Sequence, residues 1–106
     1  MTHNSIAKTI AQQIGHSALY MIGAKSKPMY ATDNGLTISV GRNNKRINKI
    51  KIILNSMDTY DVEYWYRAFS MKTFEDKSKL IAKDAGVYAD GLLGSIERNT
   101  GLATSL

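Results

Sequence analysis

The sequence predicts a single α+β domain, residues 1–106, in which a three- or four-stranded antiparallel meander is covered on one face by N-terminal and C-terminal helices. Three observations predict this fold. Apolar and polar residues alternate within residues 36–69, as they do in half-buried strands. Apolar residues recur at helical spacing near both ends of the chain. A length of 106 residues is close to the commonest size of one domain.

The three main strands are predicted at Leu36–Val40, Ile47–Leu54 and Val62–Ala68. Each alternates apolar with polar residues and is rich in β-branched or aromatic side chains. Turn-forming Gly, Asn and Asp residues occur between them, at 41–44 and 55–58. Such short connections predict antiparallel pairing. One face of the sheet is then apolar and the other polar. On the polar face, Lys51 can pair with Glu63 across neighbouring strands.

Two further strands are less regular. Met29–Ala31 is followed by the turn residues Asp33-Asn34-Gly35 and predicts a short additional strand. Residues 71–83 are mostly polar and predict a loop followed by an edge strand at Leu80–Ala82, with a loose helix as the alternative.

The N-terminal helix is predicted from an apolar stripe between Ile6 and Ile14. Gly15 ends or bends this helix, and the chain allows either one bent helix or two short ones. Gly23 is well placed as the glycine that follows the last helical turn.

The C-terminal helix is predicted over Val87–Arg98 and is followed by Gly101. Its apolar face consists of Tyr88, Ala89, Leu92, Leu93 and Ile96. Gly91 and Gly94 inside it predict a close approach to the sheet, and contact with a second copy of the chain is the alternative.

Positive charge is concentrated in one predicted hairpin. The chain has 14 Lys and Arg residues against 9 Asp and Glu residues, for a net charge of +5. Residues 35–54 contain no acid and five of the cations, namely Arg42, Lys45, Arg46, Lys49 and Lys51. The lack of cysteine excludes disulfides and thiolate zinc sites and fits a reducing cytoplasm. Neither a run of about 18 apolar residues nor a signal-peptide pattern is present, so no membrane association is predicted.

The residues that catalysis usually needs are sparse. The chain has only His3 and His16, no cysteine nucleophile, and no phosphate-binding glycine loop that opens a helix. Asp61 and Glu63 share one strand face and can in principle bind Mg²⁺, but a charged outer face near Lys51 explains them more simply. We therefore predict no enzymatic activity, no metal and no cofactor.

The basic hairpin is the best functional lead. Its cations can neutralise phosphates, its asparagines can hydrogen-bond to them, and Trp65 can stack on bases. The predicted nucleic-acid or partner-binding residues are Arg42, Asn43, Asn44, Lys45, Arg46, Lys49, Lys51, Trp65 and Arg67. A solvated hairpin that protects a sheet edge explains the same cations, and Trp65 is either an interface anchor or a buried residue.

Several segments together resemble a family of small uncharacterised bacteriophage and mobile-element proteins. They are Gly23-Ala24-Lys25, Lys49–Asn55, Asp58–Glu63, Gly86–Asp90, Thr100-Gly101-Leu102 and Ser105-Leu106. The resemblance implies an accessory phage protein in the host bacterial cytoplasm, with no activity to carry over. His16 stands where a second glycine is expected, and Lys72–Lys79 does not match the pattern.

Three functions are therefore expected. The first is a non-enzymatic protein that binds a host protein or nucleoprotein, for example as an anti-CRISPR-like inhibitor of a bacterial defence system. The second is a nucleic-acid-binding accessory protein that uses the basic hairpin. The third is a structural or virion role, and a homodimer is compatible with all three.

Overall fold

A computed structural model describes residues 3–24, 29–32 and 34–102, so Lys25, Asp33 and Ser105-Leu106 of the segments above lie outside the described residues. The elements, in chain order, are α1 (His3–Ile14), α2 (His16–Met21), β1 (Tyr30–Thr32), β2 (Gly35–Ser39), β3 (Lys49–Leu54), β4 (Tyr60–Ser70), β5 (Glu75–Val87), a short 3-10 turn (Ala89–Gly91) and α3 (Leu92–Thr100). The strands form one sheet in the order β1-β2-β3-β4-β5, with every neighbouring pair antiparallel. The predicted α+β meander is confirmed.

The sheet has five strands rather than three or four. The additional strand predicted near Met29–Ala31 is present as β1. The loop predicted after residue 70 is wrong, as is the loose helix, because β5 extends far beyond Leu80–Ala82 in both directions. The length of this strand could not be predicted from the sequence for two reasons. Residues 77–81 are exposed on an edge strand, and a register shift between the pairs made by Tyr64 and Trp65 interrupts the alternation.

One face of the sheet carries the hydrophobic core. Its side chains are the apolar members of the predicted alternation, and the helices cover them from both ends of the chain. The buried residues of the sheet include Leu36, Ile38, Ile50, Ile52, Val62 and Tyr64, and those of the helices include Ile10, Ile14, Leu19, Leu92 and Ile96. We call this side of the sheet the covered face. Within the described residues, no helix has the length and apolar character needed to cross a membrane.

Glycines shape the N-terminal helices. Gly15, at φ 92°, separates α1 from α2, so the chain forms two helices instead of one bent helix. Gly23 follows α2 at φ 83°, which confirms its predicted place. A Cβ atom at Gly23 would lie 3.0 Å from the amide nitrogen of Gly41, whose N–H donates to the carbonyl of Ile22 at 2.8 Å. The β2–β3 connection is thereby attached to the helical layer.

The C-terminal helix begins later than predicted. The α-helical turns start at Leu92, because the chain is still extended at Val87 and then makes the 3-10 turn. Leu92 and Ile96 are fully buried, as predicted, whereas Tyr88 and Ala89 precede the α-helix and are exposed. Their assignment to the apolar face was therefore wrong.

The predicted close approach of Gly91 and Gly94 to the sheet is not observed at Gly94, and at Gly91 the approach is not tight. A Cβ atom at Gly94 would meet nothing within 4 Å, and at Gly91 it would make only ordinary contact, 3.6 Å from a Val87 methyl carbon. Tight helix–sheet packing therefore does not require a glycine at either position.

A polar network joins α3 to the sheet. The buried Tyr64 hydroxyl and Ser95 Oγ lie 2.6 Å apart. Asp84 Oδ2 accepts hydrogen bonds from Ser95 Oγ at 2.5 Å, from Arg98 at 2.9 Å and from Asn99 at 2.9 Å. Burial raises the pKa of Tyr64 to about 12. The hydrogen bond from Ser95, with those from Arg98 and Asn99, lowers the pKa of Asp84.

Candidate nucleic-acid interface

The side of the sheet opposite the core is polar, and we call it the open face. Register places Lys51 between Thr37 and Glu63, and Lys49 between Ser39 and Trp65. The strand alternation that buries the isoleucines of β3 necessarily turns its two lysines to this side. Because the helices pack on the covered face, Lys49 and Lys51 lie on the side of the sheet that none of the described helices covers.

The open face is concave. A hollow of about 390 Å³ is lined by Thr32, Thr37, Lys49, Lys51, Trp65, Arg67 and Ser78. Four of the predicted binding residues are therefore brought together: three cations and the indole. Along the strand direction they occupy successive outward positions, Lys51 first, then Lys49 beside Trp65, then Arg67. Each step is about 7 Å, because outward positions are two residues apart.

Trp65 is half-buried at the wall of this hollow. Its indole N–H donates to Glu63 Oε1 at 3.0 Å, and the other oxygen of that carboxylate lies 3.9 Å from Lys83 Nζ. Lys51 does stand directly opposite Glu63, as the sequence suggests, but the ion pair formed is with Lys83. The indole is thus neither sealed in the core nor loose: its edge is fixed by a hydrogen bond.

Tyr30 adds a second aromatic side chain to the open face and is not among the predicted binding residues. β1 pairs it with Thr37, which places it on this side, and 57% of its surface is exposed. Lys49 Nζ lies 5.8 Å from the centre of its ring and donates a hydrogen bond to Ser39 Oγ at 2.6 Å. Its position in the predicted additional strand, opposite the outward-facing Thr37, could have indicated that Tyr30 lies on the open face.

β2 and β3 form the predicted antiparallel pair, but the connection between them is a loop over residues 40–48, longer than predicted, and β3 begins at Lys49 instead of Ile47. Asn43 organises this loop. Its side-chain amide donates to the carbonyls of Gly41 and Ile47, and its oxygen accepts from the backbone N–H groups of Lys45 and Ile47. Asn43 was predicted as a phosphate ligand, but its side chain instead makes the hydrogen bonds that hold the loop together.

The loop cations lie apart from the hollow of the open face. Arg42, Asn44, Lys45 and Arg46 are exposed, and Arg46 has a positive φ of 60°. A separate hollow of about 320 Å³ is lined by Arg42, Asn43, Asn44, Lys45, Thr100, Gly101 and Leu102. The nine predicted residues thus form two groups: Lys49, Lys51, Trp65 and Arg67 on the open face, and the other five in the loop.

The acids of the open face lie toward its other end, near the β3–β4 turn. Asp61 and Glu63 share this face, as predicted. Asp61 Oδ1 accepts hydrogen bonds from the Asn55 side chain at 3.2 Å and from the Gly86 N–H at 3.3 Å. Glu63 holds Trp65 and Lys83. Among the described residues, no three His, Asp or Glu side chains gather as metal ligands do.

Comparison with known proteins gives no relative: no family model, no curated protein and no solved structure matches this chain. The phage-family resemblance thus remains an expectation from the sequence, and the chemistry of the site is argued from its geometry.

Proposed function

We propose that this chain is a non-enzymatic domain that binds single-stranded nucleic acid on the open face of its sheet. The observation that carries the proposal is the concave surface on which Lys49, Lys51 and Arg67 surround the fixed indole of Trp65. It lies opposite the core, so a ligand reaches it without any rearrangement of the helices.

The cations supply the affinity for phosphate. Lys51, Lys49 and Arg67 follow one another along the strand direction, so a polynucleotide laid along the strands meets a positive charge at each step. Neutralising phosphates releases condensed counterions, which makes such binding strong at low salt and weak at high salt. The face carries little competing negative charge at this end, since Glu63 is engaged by Trp65 and Lys83.

The aromatic residues favour unpaired bases. Trp65 lies on the path of the cations, whereas Tyr30 is three strands away, a lateral distance of about 14 Å, where it can meet a base that turns aside from that path. Aromatic side chains on an open sheet stack on two or three bases in known single-strand binders. Stacking needs bases with accessible faces, which a duplex hides. We therefore expect a strong preference for single strands over duplexes.

The test is a fluorescence anisotropy titration with a labelled single strand and the corresponding duplex, at several salt concentrations. We expect wild-type binding to the single strand at micromolar concentration or tighter in low salt. The variant K49E/K51E should lose at least tenfold in affinity. Its plot of log affinity against log salt should be shallower by about 1.4, because two phosphate contacts are lost.

The control is K45E/R46E, which changes the net charge equally but alters only the loop. It should lose less affinity than K49E/K51E, and circular dichroism should show both variants folded under the titration conditions. An absence of binding at low salt, or equal losses in the two variants, would contradict the proposal.

A second candidate is an acidic surface on a host protein or nucleoprotein. The observation in its favour is the half-buried Trp65 flanked by cations, since tryptophan and arginine are the residues that dominate protein interfaces. The phage origin, the host cytoplasm and the inhibition of a defence system belong to this candidate and rest on the resemblance. Pull-down from nuclease-treated bacterial lysate distinguishes it: one protein retained by wild type and lost with K49E/K51E supports it.

A further inference from the structure

The β4–β5 hairpin extends beyond the rest of the sheet. The pairing of β3 with β4 ends at Lys49 and Trp65. Beyond that point, β4 and β5 continue as a two-stranded ribbon through five residue pairs, from Tyr66 with Lys79 to Ser70 with Glu75. We call residues 66–79 the arm. Its ladder is about 17 Å long, and a four-residue turn, 71–74, forms its tip.

The tip of the arm is exposed and carries two apolar side chains beside Lys72 and Thr73. Met71 exposes 74% of its surface and Phe74 exposes 75%. Phe74 also has a φ of 55°, a left-handed conformation that a bulky residue rarely adopts. A two-stranded ribbon has no core of its own and is only marginally stable in water. Burial within the domain thus does not account for the two apolar side chains at this tip.

The arm is continuous with the open face. Arg67 and Ser78, the second pair of its ladder, also line the concave hollow. The base is fixed by Asn48, whose side chain donates to the carbonyl of Arg67 at 2.7 Å and accepts from its N–H at 2.8 Å. A strand that runs over Lys51, Lys49 and Trp65 toward Arg67 is therefore directed along the arm.

We infer that Phe74 and Met71 contact a base of the same nucleic-acid strand that the open face binds, as a second contact beyond Trp65. This inference rests on the proposed function. The tip also carries Lys72, so a phosphate can approach it, and the exposed Phe74 and Met71 side chains are suited to stacking. The open face would then supply most of the salt-dependent part of the affinity, and the Phe74 and Met71 side chains a part that salt does not weaken.

Two consequences separate the arm from the face. A short oligonucleotide reaches only the open face, whereas a longer one also reaches the tip, so affinity should rise in a step as length increases from about four to sixteen nucleotides. Removing the phenyl ring should abolish this step, and it should leave the salt dependence unchanged because no phosphate contact is lost.

The experiment compares Phe74→Ala and Met71→Ala with wild type by anisotropy over this length series, at two salt concentrations. We expect Phe74→Ala to weaken the long oligonucleotides about 5- to 150-fold, the range for loss of one stacked base, and to leave the shortest unaffected. Met71→Ala should have a smaller effect in the same direction. The matched controls are Tyr20→Ala and Met57→Ala, whose side chains are 73% and 82% exposed on other parts of the domain. Both should bind as wild type.

The outcomes also separate this inference from the proposed function. If K49E/K51E weakens binding while Phe74→Ala matches wild type at every length, the arm inference is overturned and the open face stands. If wild type binds no oligonucleotide, both are overturned. If sedimentation shows a wild-type dimer that Phe74→Ala converts to monomer, the tip binds a second copy of the chain, and the arm inference is overturned.

Discussion

The two faces of this sheet are built from the same strands and differ in almost every physical respect. On β3, Ile50 and Ile52 are fully buried, while Lys49 and Lys51 between and beside them line an open hollow. The covered face is an apolar layer against three helices. The open face holds cations, an indole fixed at its edge and a tyrosine. Because side chains alternate along a strand, the same strands supply apolar packing on one face and polar side chains on the other.

This separation teaches that the open face can be altered without loss of the fold. Apolar burial is the dominant favourable term in folding, and nearly all of it lies on the covered face. Substitutions of the open-face cations should therefore report on binding alone. The predictions that follow test this division between the faces, and the first has the largest expected effect.

The division is tested most directly on adjacent residues of β3. Ile50→Ala should lower the free energy of unfolding by about 2–5 kcal/mol, because it leaves a cavity in the core. Lys51→Ala, one residue away on the open face, should change it by no more than about 0.5 kcal/mol. Urea unfolding followed by circular dichroism measures both. Similar losses in the two variants would show that the open face also supports the fold.

The second test concerns the polar edge of the covered face. Asp84→Ala should cost about 1–3 kcal/mol, because it leaves the buried Ser95 hydroxyl without its acceptor. Asp90→Ala, an exposed acid on the 3-10 turn, is the control and should be near neutral.

The same residue predicts a dependence on pH. The folded-state pKa of Asp84 is lowered, so its contribution to stability is present above the ordinary carboxyl pKa of about 3.9 and is lost as pH falls through the folded value. The stability difference between wild type and Asp84→Ala should therefore be constant from pH 5 to 7 and shrink below about pH 4. Urea unfolding across this range measures it, and a difference that grows on acidification would contradict the assignment.

The β2–β3 loop provides the third test. Asn43→Ala should lower the free energy of unfolding by about 1–2 kcal/mol, because the N–H of the buried Ile47 loses its acceptor. Asn44→Ala, at an exposed position next to it, should change stability little. If Asn43→Ala instead weakened nucleic-acid binding at unchanged stability, its predicted role as a phosphate ligand would be restored.

The smallest expected effect is in α3. Gly94→Ala should raise the free energy of unfolding by about 0.5–1 kcal/mol, because alanine favours the helix and its methyl group meets no neighbour. Gly101→Ala should lower it by about 1 kcal/mol, because Gly101 adopts φ 75° after the helix. Thermal unfolding resolves the opposite signs. A loss of stability in Gly94→Ala would point to a helix contact absent from the isolated chain.

The sequence predicted the elements whose two sides differ. The residues of β2, β3 and β4 alternate between core and solvent, so their pattern predicted strands. The observed strand boundaries differ from the predicted ones by only one or two residues. β5 was largely missed because an edge strand exposed along residues 77–81 has no apolar side to reveal it. The start of α3 was misplaced because Tyr88 and Ala89 fit the helical spacing yet lie on the exposed approach to it.

The site was predictable in part for the same reason. Lys49, Lys51, Trp65 and Arg67 were placed on one face by alternation alone. Their meeting in one hollow, with Tyr30 close to Lys49, depends on the pairing register of the strands, which no local pattern gives. The charge count could not separate the loop cations from those of the face, because that separation arises from the Asn43 hydrogen bonds that shape the loop.

The long outer strand β5 has a consequence for how the protein behaves at high concentration. As an edge strand, β5 presents one side of its backbone as a template on which another chain could add a strand. The register shift beside Trp65 interrupts that template, and the lysines at 77, 79 and 83 repel an identical edge. The opposite border, β1, is only three residues long. Both borders therefore carry features that oppose strand addition, and the variant K77Q/K79Q should show a shorter lag before aggregation than wild type.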